Sequence, residues 1–316
     1  IKIVKEGTLN GTTIGNDKLI DNHYYAIANK ASLTKPVDLN VPDKGKDEFK
    51  KTFGLTWEDA LQQRKVYNAI DGCQKLGMSG DEMESQWAIT KKAKKLVKFG
   101  GGFYAGLVEP LPKVPVFVIN GFYMSMREKY TLPNANLYWL TVEFDPEKLS
   151  WEDFRGKVLG GTDPAESAKG SLRKQIYENW KSLGLEFQPN VGENGMHGSA
   201  SPFEAMAERL NWLKTDLKQD PFAKAMLDAG ISKENVLAWT KDPQVPIDGK
   251  NGSLFDSVED TNSTDCLAKL AKIGGSSKTP GAYTKNEAFL FIKPHAVTDA
   301  TKAYVKKALA EKGIKI

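Results

Sequence analysis

The sequence is poor in the residues that cross-link chains or hold metal ions. Its 316 residues include two cysteines and three histidines. Cys73 and Cys266 lie far apart and form neither a disulfide framework nor a CxxC pair. We therefore expect two buried or idle thiols in a reducing compartment. We assign no protein ligand to a metal ion.

Long apolar runs and an excess of one charge are also lacking. The best apolar run, Val114 to Ile119, is as long as a strand rather than a membrane span, and no signal-peptide pattern opens the chain. The formal net charge is only +4, which does not favour a nucleic-acid partner. With 40% hydrophobic and 27% charged residues, the composition is typical of a soluble globular protein, which we expect in the cytoplasm.

One histidine stands in a flexible, Gly-rich segment, Val191 to Ser201, which reads VGENGMHGSAS. Its glycines allow the backbone to approach a ligand closely. Ser201 and Pro202, with Glu204 three residues after the serine, predict a helix start. His197 therefore precedes a helix N-terminus, where backbone N–H groups favour anions. Two readings remain open at this point: a histidine that meets phosphate, and a surface histidine in a loop.

Periodicity and capping patterns predict mixed helices and strands along the chain. The strands are predicted over 1–6, 114–122, 137–144 and 288–292, and the helices over 17–30, 56–71, 79–98, 150–159, 171–183, 201–213, 233–240 and 298–312, with a short helix or turn at 103–110. Pro133 to Asn136 are predicted to form the turn of a β-hairpin between the second and third strands. Gly313 is predicted to end the last helix, and a new strand to start at Ile314.

The two ends of the chain repeat each other. It begins Ile1-Lys2-Ile3 and ends Ile314-Lys315-Ile316. One interpretation is a repeat of 313 residues cut from a tandem array; the alternative is a three-residue coincidence.

Several short motifs together resemble the nucleoside diphosphate kinases. The loop GGTDPAESAKGSLR at 160–173 is similar to the family's phosphate loop, and Asn194 with His197-Gly198-Ser199 is similar to its N-x-x-H-G-S motif. Glu208 and Trp212 follow on the predicted helix. Three further pieces also match: FYAGLV at 103–108, His23-Tyr24, and AFLFIKPHAV at 288–297.

The order of these motifs is circularly shifted, because the Ile-Lys-Pro strand that opens the family's domain closes this chain. The resemblance thus implies a kinase-like domain over 1–273 without its first strand and helix, a linker over 274–285, and that strand and helix over 286–316, from the same or the next repeat unit. The remaining segments, about 31–98, 120–150, 174–189 and 214–273, are interpreted as insertions. The implied fold class is α/β (α+β): a ferredoxin-like antiparallel sheet with packed helices, inserted helices and a β-hairpin.

The resemblance implies a transfer of the γ-phosphate between nucleoside tri- and diphosphates through a phosphohistidine. His197 would be the nucleophile, Glu208 would orient its ring, and Ser199 would bond the phosphate or Glu208. The implied nucleotide contacts are Lys293, Tyr24, Phe103, Leu107, Arg155, Thr162, Arg173 and Asn194. The implied substrates are ATP, GTP and other nucleotides with Mg²⁺, and neighbouring copies of the chain are implied partners.

Plainer roles remain open for several of these residues. Phe103 and Tyr24 are also explained as packed side chains, Glu208 as a solvated helix residue, and Lys293 as a surface lysine. Arg173 is also explained by pairing with a carboxylate.

The chain departs from the family pattern at three places. Gly156 stands where the family has a second arginine, so that Arg155 or Lys157 would have to replace it. His295-Ala296 replaces Asp-Gly, and Ala200 replaces an acidic residue. We therefore expect reduced but real activity. The competing hypothesis is a fibre-forming tandem-repeat protein in a cytoskeletal assembly, with a vestigial nucleotide site.

Overall fold

In the computed structural model, which describes residues 1–247 and 249–311, the chain folds into two compact units. Unit 1 consists of Ile1–Gly11 and Pro133–Ile316, and unit 2, Thr12–Leu132, is inserted between them. The fold is mixed α/β, with antiparallel and mixed sheets and packed helices.

Unit 1 holds six strands and eight α-helices among the described residues. They are β1 (Lys2–Asn10), β6 (Asn136–Phe144), α9 (Trp151–Asp153), α10 (Leu172–Glu178), β7 (Met196–Gly198), α11 (Pro202–Trp212), α12 (Pro221–Asp228), α13 (Lys233–Trp239), β8 (Gln244–Ile247), β9 (Lys250–Ser253), α14 (Leu254–Val258), α15 (Ser263–Ile273), β10 (Asn286–Ile292) and α16 (Asp299–Glu311). A π-helical stretch, Phe154–Leu159, continues α9.

The main sheet of unit 1 has the strand order β1-β6-β10-β7, and every neighbouring pair is antiparallel. Apart from Glu287, all residues of β10 are buried, because its apolar run is covered on both faces. Ala288, Leu290 and Ile292 face one core, in which residues of β6, α10 and α16 also pack. Phe289 and Phe291 alternate with them and face the other side.

The helix starts predicted at Ser201 and Thr298 are confirmed. The Ser201 hydroxyl accepts the N–H of Glu204 at 3.1 Å, and Pro202 is the first residue of α11. The Thr298 hydroxyl accepts the N–H of Thr301 at 3.0 Å. Such caps satisfy N–H groups that have no partner within the helix.

Unit 2 holds eight α-helices and four strands. They are α1 (Gly11–Asn16), α2 (Leu19–His23), α3 (Tyr25–Ala28), α4 (Asp43–Phe53), α5 (Trp57–Gln62), β2 (Val66–Asn68), α6 (Ala69–Leu76), α7 (Gly80–Lys92), β3 (Leu96–Gly100), β4 (Phe103–Val108), β5 (Val116–Ile119) and α8 (Tyr123–Thr131). The sheet order is β2-β5-β4-β3, in which only β2 and β5 run parallel.

Three predicted elements of unit 2 are wrong. The helix predicted over 56–71 ends at Gln62, and strand β2 follows. A new helix, α6, then starts at Ala69, where the side chain of Asn68 accepts the N–H of Asp71. The helix predicted over 79–98 ends at Lys92, and its last residues belong to β3. Phe103 to Val108 form strand β4 instead of a helix or turn. In the latter two cases, pairing between β3 and β4 overrides the local pattern.

The predicted hairpin is also wrong. Strand β6 pairs with β1 and β10, and not with β5. Its residues are buried on both faces along most of its length, which requires a central strand. Among the described residues, the consecutive antiparallel strand pairs are β3–β4, β4–β5 and β8–β9.

The domain bounds differ from those read in the sequence. Residues 12–132 form one continuous unit, where the sequence indicated separate insertions at 31–98 and 120–150. Part of 120–150 is strand β6 of the main sheet. The predicted end at Gly313 and new strand at Ile314 lie outside the described residues.

Among the described residues, no helix combines the length and the apolar character that crossing a bilayer requires.

Close packing beneath β7 gives a stability prediction. A Cβ on Gly198 would lie 2.7 Å from Cδ2 of Leu159 and 2.8 Å from Cδ2 of Leu290, both buried. Gly198→Ala should therefore lower the free energy of unfolding by about 1–3 kcal/mol, measured by urea denaturation. Gly156→Ala is the control, since its Cβ would meet no atom of another described segment within 4 Å. Equal midpoints for the two variants would contradict the packing described.

Candidate active site around His197

The position of His197 follows from strand alternation. It lies on β7, opposite Phe291 of β10. Its neighbours Met196 and Gly198 face the core that contains Leu290, so the His197 ring lies on the other face of the sheet. There the ring stacks on Phe291, with centroids 4.7 Å apart and planes at 23°. The side chain is 16% exposed, which fits neither a loop tip nor a sealed core.

A buried carboxylate holds one nitrogen of this ring. Glu208, on α11, forms a short hydrogen bond to Nε2 of His197 through Oε1. Its other oxygen, Oε2, lies 2.5 Å from the hydroxyl of Ser199. That hydroxyl also accepts the N–H of Phe289 at 3.0 Å. Strand β10 thus fixes the serine, the serine fixes the glutamate, and the glutamate fixes the ring.

Burial and nearby cations set the charge state of this pair. The pKa of His197 lies well below its ordinary value, first because of burial and then because of the positive charges of Lys293, Arg173 and Arg155. The ring is therefore neutral near pH 7. Burial raises the pKa of Glu208 to about 8, although Ser199 and Arg209 oppose this shift.

Lys293 and Arg173 both place positive charge near His197. Lys293 directly follows β10, and burial, with Arg173 as the second cause, lowers its pKa to about 8. Its Nζ lies 3.5 Å from the carbonyl of Gly192. Arg173, on α10, donates from Nε and Nη2 to the carbonyl of Met196 at 3.0 and 2.9 Å, and from Nη1 to that of Gly160 at 3.0 Å. Arg173 therefore joins the loop at Gly160 to β7.

Asn194 and Thr162 connect two loops next to β7. The amide nitrogen of Asn194 donates to the carbonyl of Thr162 at 3.0 Å. The Oδ1 atom of Asn194 is buried and has no hydrogen-bond partner among the described residues. Thr162 itself is exposed. The structure thus gives Asn194 a role in holding these loops together, whereas its implied nucleotide contact remains a prediction.

Arg155 has partners that the sequence did not indicate. Its Nη1 lies 2.6 Å from Oε1 of Glu259 and 2.7 Å from Oδ1 of Asp260. It is also one of the cations that lower the pKa of His197. A phosphate at Arg155 would therefore have to compete with two carboxylates.

Three predicted nucleotide contacts belong to unit 2. Tyr24 lies between α2 and α3, and Phe103 and Leu107 lie on β4. Phe103 is buried, and its ring meets that of Phe99 at 5.0 Å between centroids. This is the position of a core side chain in unit 2, and the predicted nucleotide roles of all three remain predictions.

Sequence reasoning missed two polar side chains near the site. Glu204 lies one turn before Glu208 on α11, its carboxylate accepts the N–H of Ala200, and burial raises its pKa to about 8. His295 accepts the N–H of Gly195 at 3.1 Å. The i, i+4 spacing of the two glutamates was the available signal for Glu204. The sequence marked His295 only as a departure from the family's motif and assigned it no role.

Comparison with known proteins gives a partial similarity. A nucleoside diphosphate kinase of Beijerinckia indica subsp. indica is 41% identical over 56 residues, which are 18% of this chain and 32% of that protein. The chain thus matches about a third of the length of this curated relative. No family model and no solved structure matches the chain. The similarity supports a distant relation to these kinases.

The electrostatic account of His197 gives a measurable shift. Lys293→Met should raise the pKa of His197 towards its ordinary value, because it removes one of the positive charges that disfavour the imidazolium. Ring resonances followed by NMR against pH would measure the change. Lys285→Met, which removes a lysine paired with Glu143 at 3.0 Å, is the control and should leave the titration unchanged. A His197 titration that Lys293→Met does not move would contradict this account.

Proposed function

We propose that the chain is a nucleoside diphosphate kinase-like phosphotransferase. It would move the γ-phosphate of a Mg²⁺-bound nucleoside triphosphate to a nucleoside diphosphate through a phosphohistidine at His197. The observation that carries the proposal is the bond between Nε2 of His197 and the buried Glu208, beside Lys293 and Arg173. The partial similarity to a nucleoside diphosphate kinase supports the same reaction.

The tautomer of His197 determines which nitrogen reacts. Above its pKa of about 8, the ionised Glu208 accepts a hydrogen bond from Nε2–H, so that the single proton of the neutral imidazole lies on Nε2 and the lone pair lies on Nδ1. Nδ1 would attack the γ-phosphorus as the bond to the β-phosphate oxygen breaks and the diphosphate leaves. The second half-reaction would reverse these steps with another diphosphate as acceptor.

Positive charge supplies the remaining stabilisation. Phosphoryl transfer depends mainly on positioning and on cations that neutralise the charge of the transferring group. Lys293 and Arg173 would meet the phosphates, with Arg155 once it leaves Glu259 and Asp260. Thr162 and Asn194 would line the loops beside them. Mg²⁺ would arrive with the nucleotide and bridge its phosphates.

The strand order supports a ferredoxin-like interpretation of unit 1. If β10 is taken as the first strand, followed by α16, β1, β6, α10 and β7, the order of elements becomes β-α-β-β-α-β. The spatial order β7-β10-β6-β1 then places the first and third strands at the centre and the fourth and second at the edges. We therefore propose a ferredoxin-like sheet in circularly shifted order, into which unit 2 is inserted.

The direct test of the function is phosphohistidine formation from ATP labelled in the γ-phosphate. The wild-type chain should take up label that is lost in acid and kept in base, and His197→Ala should take up none. Glu208→Gln should label about 10- to 100-fold more slowly, because it loses a charge-assisted hydrogen bond to the reacting ring. Lys285→Met should label at the wild-type rate. An unlabelled wild type, or equal label on His197→Ala, would contradict the proposal.

The pH dependence of labelling should be bell-shaped, since the two groups on which the proposed step depends, Glu208 and Lys293, both have a pKa of about 8. Glu208 must be ionised, so the rate rises through its pKa. Lys293 must be charged, so the rate falls as the pH passes its pKa. Lys293→Arg keeps its charge and should lose the alkaline limb while keeping the acid limb. An alkaline limb unchanged in this variant would show that Lys293 is not the group responsible.

A further inference from the structure

Gly195 is held at two points by the segment that follows β10. Its N–H donates to Nε2 of His295 at 3.1 Å, and its carbonyl accepts the N–H of Lys293 at 2.9 Å. Gly195 lies directly after Asn194 and two residues before His197. The backbone before the proposed nucleophile is thus attached to the same segment that carries Lys293.

The side chain of His295 is fixed in its own place. Its ring stacks on Phe187, with centroids 5.6 Å apart and planes at 24°, and the side chain is 9% exposed. Its Nδ1 lies 3.9 Å from Oε1 of Glu193. Because Nε2 accepts a hydrogen bond from Gly195, a neutral ring must carry its proton on Nδ1, the nitrogen nearer Glu193.

We propose that His295 is a positioning residue for the site around His197, an inference that rests on the proposed function. His295 acts through Gly195 and not on the reacting atoms. By accepting this N–H it sets the path of the backbone between Asn194, which bonds to the carbonyl of Thr162, and His197, which bonds to Glu208.

The hydrogen bond to His295 acts on a residue, Gly195, whose backbone conformation most needs to be fixed. Its φ is +85°, a conformation that glycine adopts readily and that other residues avoid. Glycine is also the residue with the most backbone freedom to lose, so the loop before β7, with glycines at 192 and 195, needs constraints from outside itself. The residue is buried, so the loss of its acceptor would leave an N–H that must find another partner.

Two substitutions separate the effect of the hydrogen-bond acceptor of His295 from the effect of its aromatic ring. His295→Gln places an amide oxygen near the position of Nε2 but removes the ring that stacks on Phe187. His295→Phe keeps an aromatic ring against Phe187 but has no acceptor for Gly195. If His295 serves only as packing, Phe should be tolerated and Gln should not. If it positions Gly195, the reverse should hold.

The experiment measures hydrogen exchange of the Gly195 amide by NMR and the rate of labelling from γ-labelled ATP, both on the full chain. His295→Phe should speed exchange at Gly195 and slow labelling, each by about fivefold to tenfold for one lost hydrogen bond. His295→Gln should remain within about twofold of wild type, since it keeps a neutral acceptor. The Ser199 amide, bonded to the carbonyl of Phe289 at 3.0 Å, is the internal reference.

The two readouts separate this inference from the proposed function. Unchanged Gly195 exchange in His295→Phe would overturn the inference, whether or not the chain takes up label. Equal behaviour of the Gln and Phe variants would overturn it as well. A wild type that takes up no label refutes the proposed function; loss of protection in Phe and its recovery in Gln would then still support the hold of His295 on Gly195.

Discussion

The bond between His197 and Glu208 is the interaction on which the site depends. It joins the edge strand of the main sheet to the helix that follows, and it lies in surroundings that disfavour charge on both partners. The imidazole remains neutral because burial and three cations oppose its protonation. The carboxylate is held by Ser199, which is itself bonded to the backbone of β10. A histidine in this setting is both oriented and neutral, the two properties that a nucleophile towards phosphate requires.

The central strand explains why distant parts of the chain meet here. Strand β10 pairs with β7, supports Ser199, stacks Phe291 under His197 and ends at Lys293. Strand β6, on its other side, joins it to β1. The chain leaves the sheet after β1 and returns before β6, where the N–H of Gly11 donates to the carbonyl of Ala135 at 2.7 Å. A large insertion is tolerated at such a point because the two strand ends already lie side by side.

Local sequence patterns predicted the elements that carry strong local signals. The caps at Ser201 and Thr298 and the apolar strand over 288–292 are confirmed. Strand β2 was missed because it is three residues long and is formed by parallel pairing with β5, about fifty residues further along the chain. The pairing of β6 was predicted wrongly because nothing local reports that its neighbour, β1, lies beyond an inserted unit.

The candidate site was predicted only in part, because a motif identifies residues but not the partners that distant parts of the chain bring to them. The resemblance to the nucleoside diphosphate kinases selected His197, Ser199, Glu208, Arg173 and Lys293, and in unit 1 the structure brings these side chains together. The carboxylates beside Arg155 come from residues 259 and 260, about a hundred residues later. Only the tertiary structure reveals such a partner, or the acceptor that His295 provides for Gly195.

The position of phosphorus on the imidazole tests the central claim most directly. In protein carrying ¹⁵N-labelled histidine and phosphorylated by ATP, phosphorus–nitrogen coupling identifies the nitrogen that carries the phosphoryl group. Because Glu208 holds Nε2, we predict phosphorus on Nδ1 of His197. Phosphorus on Nε2, or on a histidine other than His197, would contradict the account.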